Sequence, residues 1–213
     1  MNSKITAVVP ARNEESTVGC IVEQLLETNI FEEVIVVDNS SQDDTGIIAA
    51  AAGAKVVPCE QEGLGAAMLA GVEASHTSRI FRTDADIISW DMTRVTEIAL
   101  ASDDLTRGVF SSPYDSFPVT RLVTENACSL LLPDITLPRR VLSGTYAFRK
   151  ALFPLSCYPQ DWSFDIALVI HALRNKWSIR DIEIGELVDK QRDIEHYVPM
   201  ARDILRYILK VSK

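Results

Sequence analysis

The chain has 213 residues, 47% of them apolar, and a formal net charge of −9. That length suits one domain with a sizeable core. The charge argues against sequence-independent nucleic-acid binding and against broad attraction to an anionic membrane, so an anionic ligand would need a metal ion or a local cluster of Lys and Arg. Cys20, Cys59, Cys128 and Cys157 are far apart and form no C-x-x-C. They read as buried thiols of a reducing compartment rather than a disulfide frame or a zinc site. No apolar run approaches the ~20 residues of a membrane span. Met1 to Lys4 leads directly into an apolar run, without a signal peptide. The expectation is a cytosolic protein without internal repeats.

In chain order, Lys4 to Pro10 is an apolar, β-branched run of the kind found in buried parallel strands. A polar turn follows, and Val18, Ile21, Val22, Leu25 and Leu26 then keep helical spacing to about Thr28. Asn13 or Ser16 is the expected cap of this helix, with Glu14 and Glu15 near its positive end. There is no G-x-G-x-x-G after the first strand, which argues against a dinucleotide-binding Rossmann unit. Glu33 to Asp38 reads as a second buried strand. It runs into a polar turn and a helix over Gly46 to Ala52, ended by Gly53. Ala54 to Pro58 is a third strand. Gln61 to Gly65 is a loop, and Ala66 to about Ser75 a helix. The alternation predicts an α/β fold with a mostly parallel sheet flanked by helices and right-handed crossovers.

The stretch Arg79 to Ile88 reads as a strand ending in Asp84-Ala85-Asp86. In an extended segment residues i and i+2 point the same way, about 7 Å apart. Both carboxylates would then face one site at the strand's C-terminal end, where open α/β sheets bind ligands. Two converging carboxylates suit a hard divalent cation, Mg²⁺ or Mn²⁺, which keeps positions free for substrate phosphates. Arg12 to Glu14 and Asp38 to Ser40 cluster at the same strand ends.

The second half is less regular. Helices are expected over Asp91 to Ala101, Val119 to Leu132, Trp162 to Arg174 (amphipathic) and Pro199 to Lys213. Strands are expected over Thr106 to Ser111, Ser143 to Arg149 and Trp177 to Ile184. His171 reads as a core or half-buried histidine and Trp162 as packing. Segment 190–213 holds Lys190, Arg192, Arg202, Arg206, Lys210 and Lys213 against Asp193, Glu195 and Asp203. Its amphipathic helix is expected to pack on its own domain or on a twin subunit, as in a homodimer, with peripheral membrane contact as the alternative.

V-V-P-A-R-N-E-E (8–15), V-I-V-V-D-N-S-S-Q-D-D-T (34–45), G-L-G-A-A (63–67) and D-A-D (84–86) together resemble family 2 glycosyltransferases of the GT-A fold. The polyprenyl- and dolichyl-phosphate sugar transferases and the glucosyl-3-phosphoglycerate synthases are the most similar in look. S-G-T-Y-A-F-R-K (143–150) and D-W-S-F-D-I-A-L-V-I-H-A-L (161–173) resemble their acceptor-side segments. The resemblance implies a single GT-A domain over 1–213, with a nucleotide-sugar half over 1–90 and an acceptor half over 91–213.

It further implies that Pro10, Ala11, Arg12 and Glu14 line the nucleoside pocket, with Asp38 and Ser40 at the base or ribose. The Gly63 and Gly65 loop would approach the nucleotide, Asp84 the ribose and diphosphate, and Asp86, with Asp84, the metal. His196 is a candidate third ligand. Arg82, where many members have Val or Met, is a departure; it reaches an acidic partner or the pocket.

Asp165, with Asp161 four residues before it, is the candidate base that would deprotonate an acceptor hydroxyl. Arg139, Arg140 and Arg149 would bind an anionic acceptor, alongside Gly144. The expected activity is metal-dependent transfer of a sugar from a nucleotide-diphosphate donor to an unidentified acceptor, with a phosphorylated compound, small or lipid-linked, preferred. A sugar-phosphate nucleotidyltransferase and a non-catalytic nucleotide binder on the same scaffold remain as alternatives.

Overall fold

The computed structural model describes residues 4–111, 118–186, 188–189 and 193–213. Lys190 and Arg192 of the basic C-terminal segment lie outside these residues. The first half alternates as the sequence predicts: β1 (Ile5–Ala11), α1 (Val18–Glu27), β2 (Phe31–Asp38), α2 (Thr45–Ala51), β3 (Lys55–Pro58), α3 (Leu64–Ala74) and β4 (Arg79–Arg82). The second half adds β5 (Ile87–Ser89), α4 (Met92–Leu100), β6 (Leu105–Val109), α5 (Glu125–Leu131), β7 (Tyr146–Arg149), α6 (Phe164–Arg174), β8 (Ile179–Glu183), β9 (Val188–Asp189) and α7 (Ile194–Val211).

Seven strands form the main sheet in the order β3-β2-β1-β4-β7-β6-β8, and β5 pairs with β9 in a separate ribbon. Only β7 runs antiparallel to its neighbours β4 and β6. The register fixes where the cleft opens. Ala11, the end of β1, pairs with Asp38, the end of β2. β4 stops at Arg82, opposite Val8, three residues short of the end of β1. That step leaves a notch above β4, and the chain crosses it through Asp84 to Asp86.

The sheet is apolar on both faces, as parallel strands between helices must be. Val9, Val36 and Phe81 pack under α1, α2 and α4 on one face. Val8, Val37 and Phe148 meet α3 and α6 on the other. A third cluster joins α5, α6 and α7 through Cys128, Ile170, Ile204 and Ile208. Among the described residues no helix is long and apolar enough to cross a membrane.

Several local expectations change. The first helix begins at Val18 with no side-chain cap; Glu14 O accepts from Thr17 N and Val18 N instead. Asn13 adopts a left-handed conformation, and its Oδ1 accepts from Gln42 N, so it ties two loops rather than capping a helix. The segment from Val119 to Thr124 winds as a π-helix before α5. α6 is not amphipathic. Every residue from Phe164 to Ile170 is buried, because the helix lies between the sheet-side core and the α5/α7 cluster. α7 starts five residues before Pro199, with Asp193 capping it. The proline therefore sits inside the helix rather than marking its start. α7 packs on its own domain through Ile204 and Ile208. Of the four cysteines expected to be buried, only Cys128 is, and Cys20 and Cys157 are exposed.

Candidate active site

A cleft of about 760 Å³ opens over the C-terminal ends of β1 and β4. Of the residues flagged in the sequence, Pro10, Ala11, Arg12, Glu14, Gly63, Asp84, Asp86, Gly144, Asp161 and Asp165 line it. Asp38, Ser40, Gly65, Arg139, Arg140 and Arg149 do not.

The loop after β1 is set by backbone bonds to its neighbours. Glu14 is buried and its N–H donates to Thr45 Oγ1 at 2.8 Å. Arg12 pairs with Glu62, 2.8 Å from Nη2 to Oε1, and both line the cleft. This hydrogen bond raises the guanidinium pKa, against the small opposing effect of burial.

Asp38 and Ser40 serve the turn instead of the cleft. Asp38 Oδ1 accepts from Ser41 N at 3.1 Å, and Ser40 Oγ bonds the Cys59 and Glu60 carbonyls, each at 3.2 Å. Asn39, between them, is the residue that lines the cleft. Its Nδ2 donates to Cys59 O and Gln61 O, and its Oδ1 accepts from Gly63 N. The sequence signalled this only as a polar turn.

Gly63 lines the cleft, and both glycines of the 63–65 loop also face the chain's own backbone. Gly63 has a left-handed φ of 135°, and a Cβ on it would overlap Gln160 O. A Cβ on Gly65 would overlap Pro159 O and stand 2.8 Å from Gln160 Cα. Both glycines admit the chain's own backbone. α3 has no side-chain cap. Gly65 N and Ala66 N donate to Asp161 O and Gln160 O, at 3.1 and 2.9 Å. Segment 159–161 thus satisfies N–H groups that every helix start leaves open.

Asp84 and Asp86 lie in a turn between β4 and β5, not on an extended strand. The alternation argument for their common face therefore fails, although both still reach the cleft. Beneath them lies Arg82, 1% exposed. Its Nη2 donates to Asp84 Oδ1 at 2.5 Å, and Nη1 stands 3.5 Å from Asp165 Oδ2. Its guanidinium carbon lies 5.5 Å from the Tyr146 ring centroid. Burial opposes the charge, but Asp165 and Asp84 outweigh it and hold the pKa above the ordinary arginine range.

Tyr146 donates its hydroxyl to Asp165 Oδ1 at 2.7 Å. Burial, with the Asp165 charge, pushes the phenol pKa well above its usual value. Asp165 is itself buried, with both oxygens turned to protein partners. Asp161 Oδ1 accepts from Ser163 N and Oγ at the start of α6.

The three arginines expected at the acceptor are elsewhere. Arg149 pairs with Arg79 at the far end of β4, where it meets Asp104 and Ser102 O. Antiparallel pairing sends β7 away from the cleft, so the residue after the strand's apolar run ends on the opposite side. Arg139 is exposed outside the cleft, and Arg140 is buried with a left-handed φ of 51°. Their carbonyls accept from the buried Arg107 Nη2, at 2.7 and 3.0 Å. The cleft wall also carries Trp162, His196 and Tyr197, whose rings meet edge to face. Trp162 thus belongs to the site as well as to packing.

Asp84 and Asp86 offer the oxygen donors a hard divalent cation takes. Among the described residues no group of three His, Cys, Asp or Glu is placed to hold a metal. Two carboxylates without a closed cage fit a cation whose other positions go to substrate phosphates and water.

A parallel nucleotide-binding sheet with an Asp-x-Asp turn above its switch strand defines the GT-A class of glycosyltransferase. The profile described as glycosyl transferase family 2 matches residues 6–144, more than half of the chain, and the chain belongs to that family. It is therefore a nucleotide-sugar-dependent glycosyltransferase. It is 27% identical over 231 residues to the glucosyl-3-phosphoglycerate synthase of Mycolicibacterium smegmatis, covering 96% of this chain and 76% of that protein. The crystal structure of the Mycobacterium tuberculosis glucosyl-3-phosphoglycerate synthase with Mn²⁺, UDP-glucose and phosphoglyceric acid superposes with a TM-score of 0.87 at 25% identity, covering 99% of this chain and 80% of that one. A structure of the same synthase with Mg²⁺ and UDP gives 0.87 at 25% identity over 98% and 79%. A 4,4'-diaponeurosporenoate glycosyltransferase of Staphylococcus aureus is 33% identical, but over only 39% of this chain and 24% of its own length.

Proposed function

We propose that the protein transfers a sugar, glucose in the first instance, from a uridine-diphosphate donor to a small phosphorylated acceptor, with Mn²⁺ or Mg²⁺ at the Asp84-Ala85-Asp86 turn. The observation that carries this reading is the position of that turn, above the short β4 and facing the loop after β1 across one cleft. Similarity over nearly the whole chain to the mycobacterial synthases supports the donor, metal and acceptor classes. Residues 1–90 form the donor half and 91–213 the acceptor half of one domain.

In this reading Pro10, Ala11, Arg12, Glu14 and Asn39 shape the nucleoside end. Asp84 faces the ribose and diphosphate, and Asp86 holds the cation. The cation, when bound, neutralises charge that develops on the leaving diphosphate. The exposed Arg12–Glu62 pair lies at this end of the cleft. Asp161, Trp162 and His196 bound the acceptor end, and Gly144 leaves room beside Asp84 where any side chain would intrude. The edge-to-face Trp162 and His196 rings offer an apolar and polar surface to a sugar ring. Asp165 suits a positioning role better than proton abstraction, because Tyr146 and Arg82 already engage its oxygens.

The test is thermal unfolding with UDP, GDP, CDP and dTDP, each with and without Mn²⁺. Binding to the native state raises stability by RT ln(1 + [L]/Kd). A Mn²⁺-dependent shift is expected with UDP, followed by UDP release from UDP-glucose when 3-phosphoglycerate is added. No shift with any of the four would refute the donor site, and a shift without release with any phosphorylated acceptor would refute the acceptor class.

A further inference from the structure

We propose that Arg82 is the positioning residue of the donor site. It is a buried guanidinium that fixes the Asp84 carboxylate before any ligand arrives, with Asp165 and Tyr146 as its anchor. The inference rests on the donor-site reading above and concerns a residue that reading leaves unused.

β4 carries two buried arginines, Arg79 and Arg82, with different partners. Arg79 satisfies its whole fork with structural acceptors: Nε to Ala99 O, Nη1 to Asp103 O and Nη2 to Thr106 Oγ1. Arg82 differs. Its Nε and Nη1 are buried and make no hydrogen bond among the described residues. Its hydrogen bond goes from Nη2 to Asp84. The guanidinium is held in place by charge on two sides, Asp84 and Asp165, and by the Tyr146 ring.

The carboxylate it grips is confined on its other side as well. A Cβ on Gly144 would overlap Asp84 Oδ2 and stand 2.9 Å from Arg82 Nη1. Gly144 has a φ of 67°, so the chain passes there in a conformation that favours glycine. Asp84 therefore sits in a slot, with Arg82 beneath and the Gly144 backbone beside it.

The slot is tied into the sheet. Arg82, Tyr146 and Arg107 face one another across β4, β7 and β6, so they share one face. Arg107 in turn holds the carbonyls of Arg139 and Arg140, in the loop that leads to Gly144. The donor carboxylate and the acceptor-side loop are thus anchored by one buried polar row. A carboxylate fixed in advance needs no reordering when the metal and nucleotide bind, which is the advantage of preorganisation.

Arg82→Met alone would leave Asp165 buried without its cation, which risks unfolding. The test therefore uses Arg82→Met/Asp165→Asn, which removes both charges together. UDP binding in the presence of Mn²⁺ is measured by calorimetry for wild type, this double variant, Asp84→Asn, and the three combined. The double variant is expected to unfold cooperatively yet bind about tenfold or more weakly. Asp84→Asn is expected to cost less in that background than in the wild type, because coupled residues are non-additive. A folded double variant with wild-type affinity would overturn the proposal, as would additive losses. If the double variant does not fold, Arg82→Lys, which keeps the charge but loses the fork, enters the same cycle with Asp84→Asn, and the same two outcomes decide. Failure of the wild type itself to bind UDP would refute the donor-site reading, and this inference with it.

Discussion

Gly65→Ala tests the close approach of segment 159–161 to the start of α3. Gly65 is the second residue of α3, with ordinary helical backbone, so alanine by itself should stabilise the helix by about 1 kcal/mol. The structure reverses that sign. The new Cβ would overlap Pro159 O and lie 2.8 Å from Gln160 Cα, both backbone atoms that cannot rotate away. Segment 159–161 must move by several tenths of an ångström or more. Its carbonyls are the partners of Gly65 N and Ala66 N. Overpacking of this kind costs about 1–3 kcal/mol, and two weakened hydrogen bonds about 1 kcal/mol each. After the helical gain the net loss is about 2–4 kcal/mol. For a chain of this size that lowers Tm by about 5–15 °C. Urea unfolding followed by far-UV circular dichroism gives the difference directly, and a variant as stable as wild type, or more so, would show the reasoning wrong. The same shift should carry Asp161 and Trp162 with it, so the acceptor KM should rise in whatever fraction remains folded.

Asp86→Ala should abolish the Mn²⁺-dependent part of the UDP thermal shift while leaving the melting point of the unliganded protein near wild type; an undiminished shift would move the cation elsewhere. Tyr146→Phe leaves a buried oxygen of Asp165 without its donor, so denaturant unfolding should show a loss of about 1–3 kcal/mol. Glu33 supplies a pH dependence. Burial pulls its carboxyl upward, but hydrogen bonds from His76 N and Thr6 Oγ1, with Lys55 nearby, outweigh it and hold the pKa below the ordinary glutamate value. Its contribution is present above the unfolded value and lost as pH falls through the folded one, so Glu33→Gln should flatten the loss of urea stability on acidification below about pH 4.5. Iodoacetamide at neutral pH should label the exposed Cys20 and Cys157 in the native protein. Cys128, buried and with its thiol pushed up to about 11, should react only after denaturation, as peptide mass spectrometry would report.

The alternation of β-branched runs with helical spacing in the first ninety residues determined the four parallel strands β1 to β4 and the end at which the cleft opens. Those features follow from local periodicity, because a buried strand and the helix that covers it each carry their own apolar pattern. The sequence also marked Arg12, Glu14, Asp84 and Asp86, which lie at loop positions just beyond strand ends. Only the tertiary structure decided what the remaining residues face. Arg149 read as an acceptor ligand until β7 proved antiparallel and turned it to the far end of the sheet. Gly63 and Gly65 read as a loop close to a nucleotide. Gly63 does line the cleft, but no local pattern shows that both also admit the backbone of residues 159–161, almost a hundred positions away. α6 read as amphipathic because its charged ends drew the pattern, yet neighbours from both halves of the chain bury its middle. Arg82 was legible as an anomaly in an apolar strand. Its partners come from a turn, from β7 and from α6, and no local pattern encodes contacts between segments so far apart.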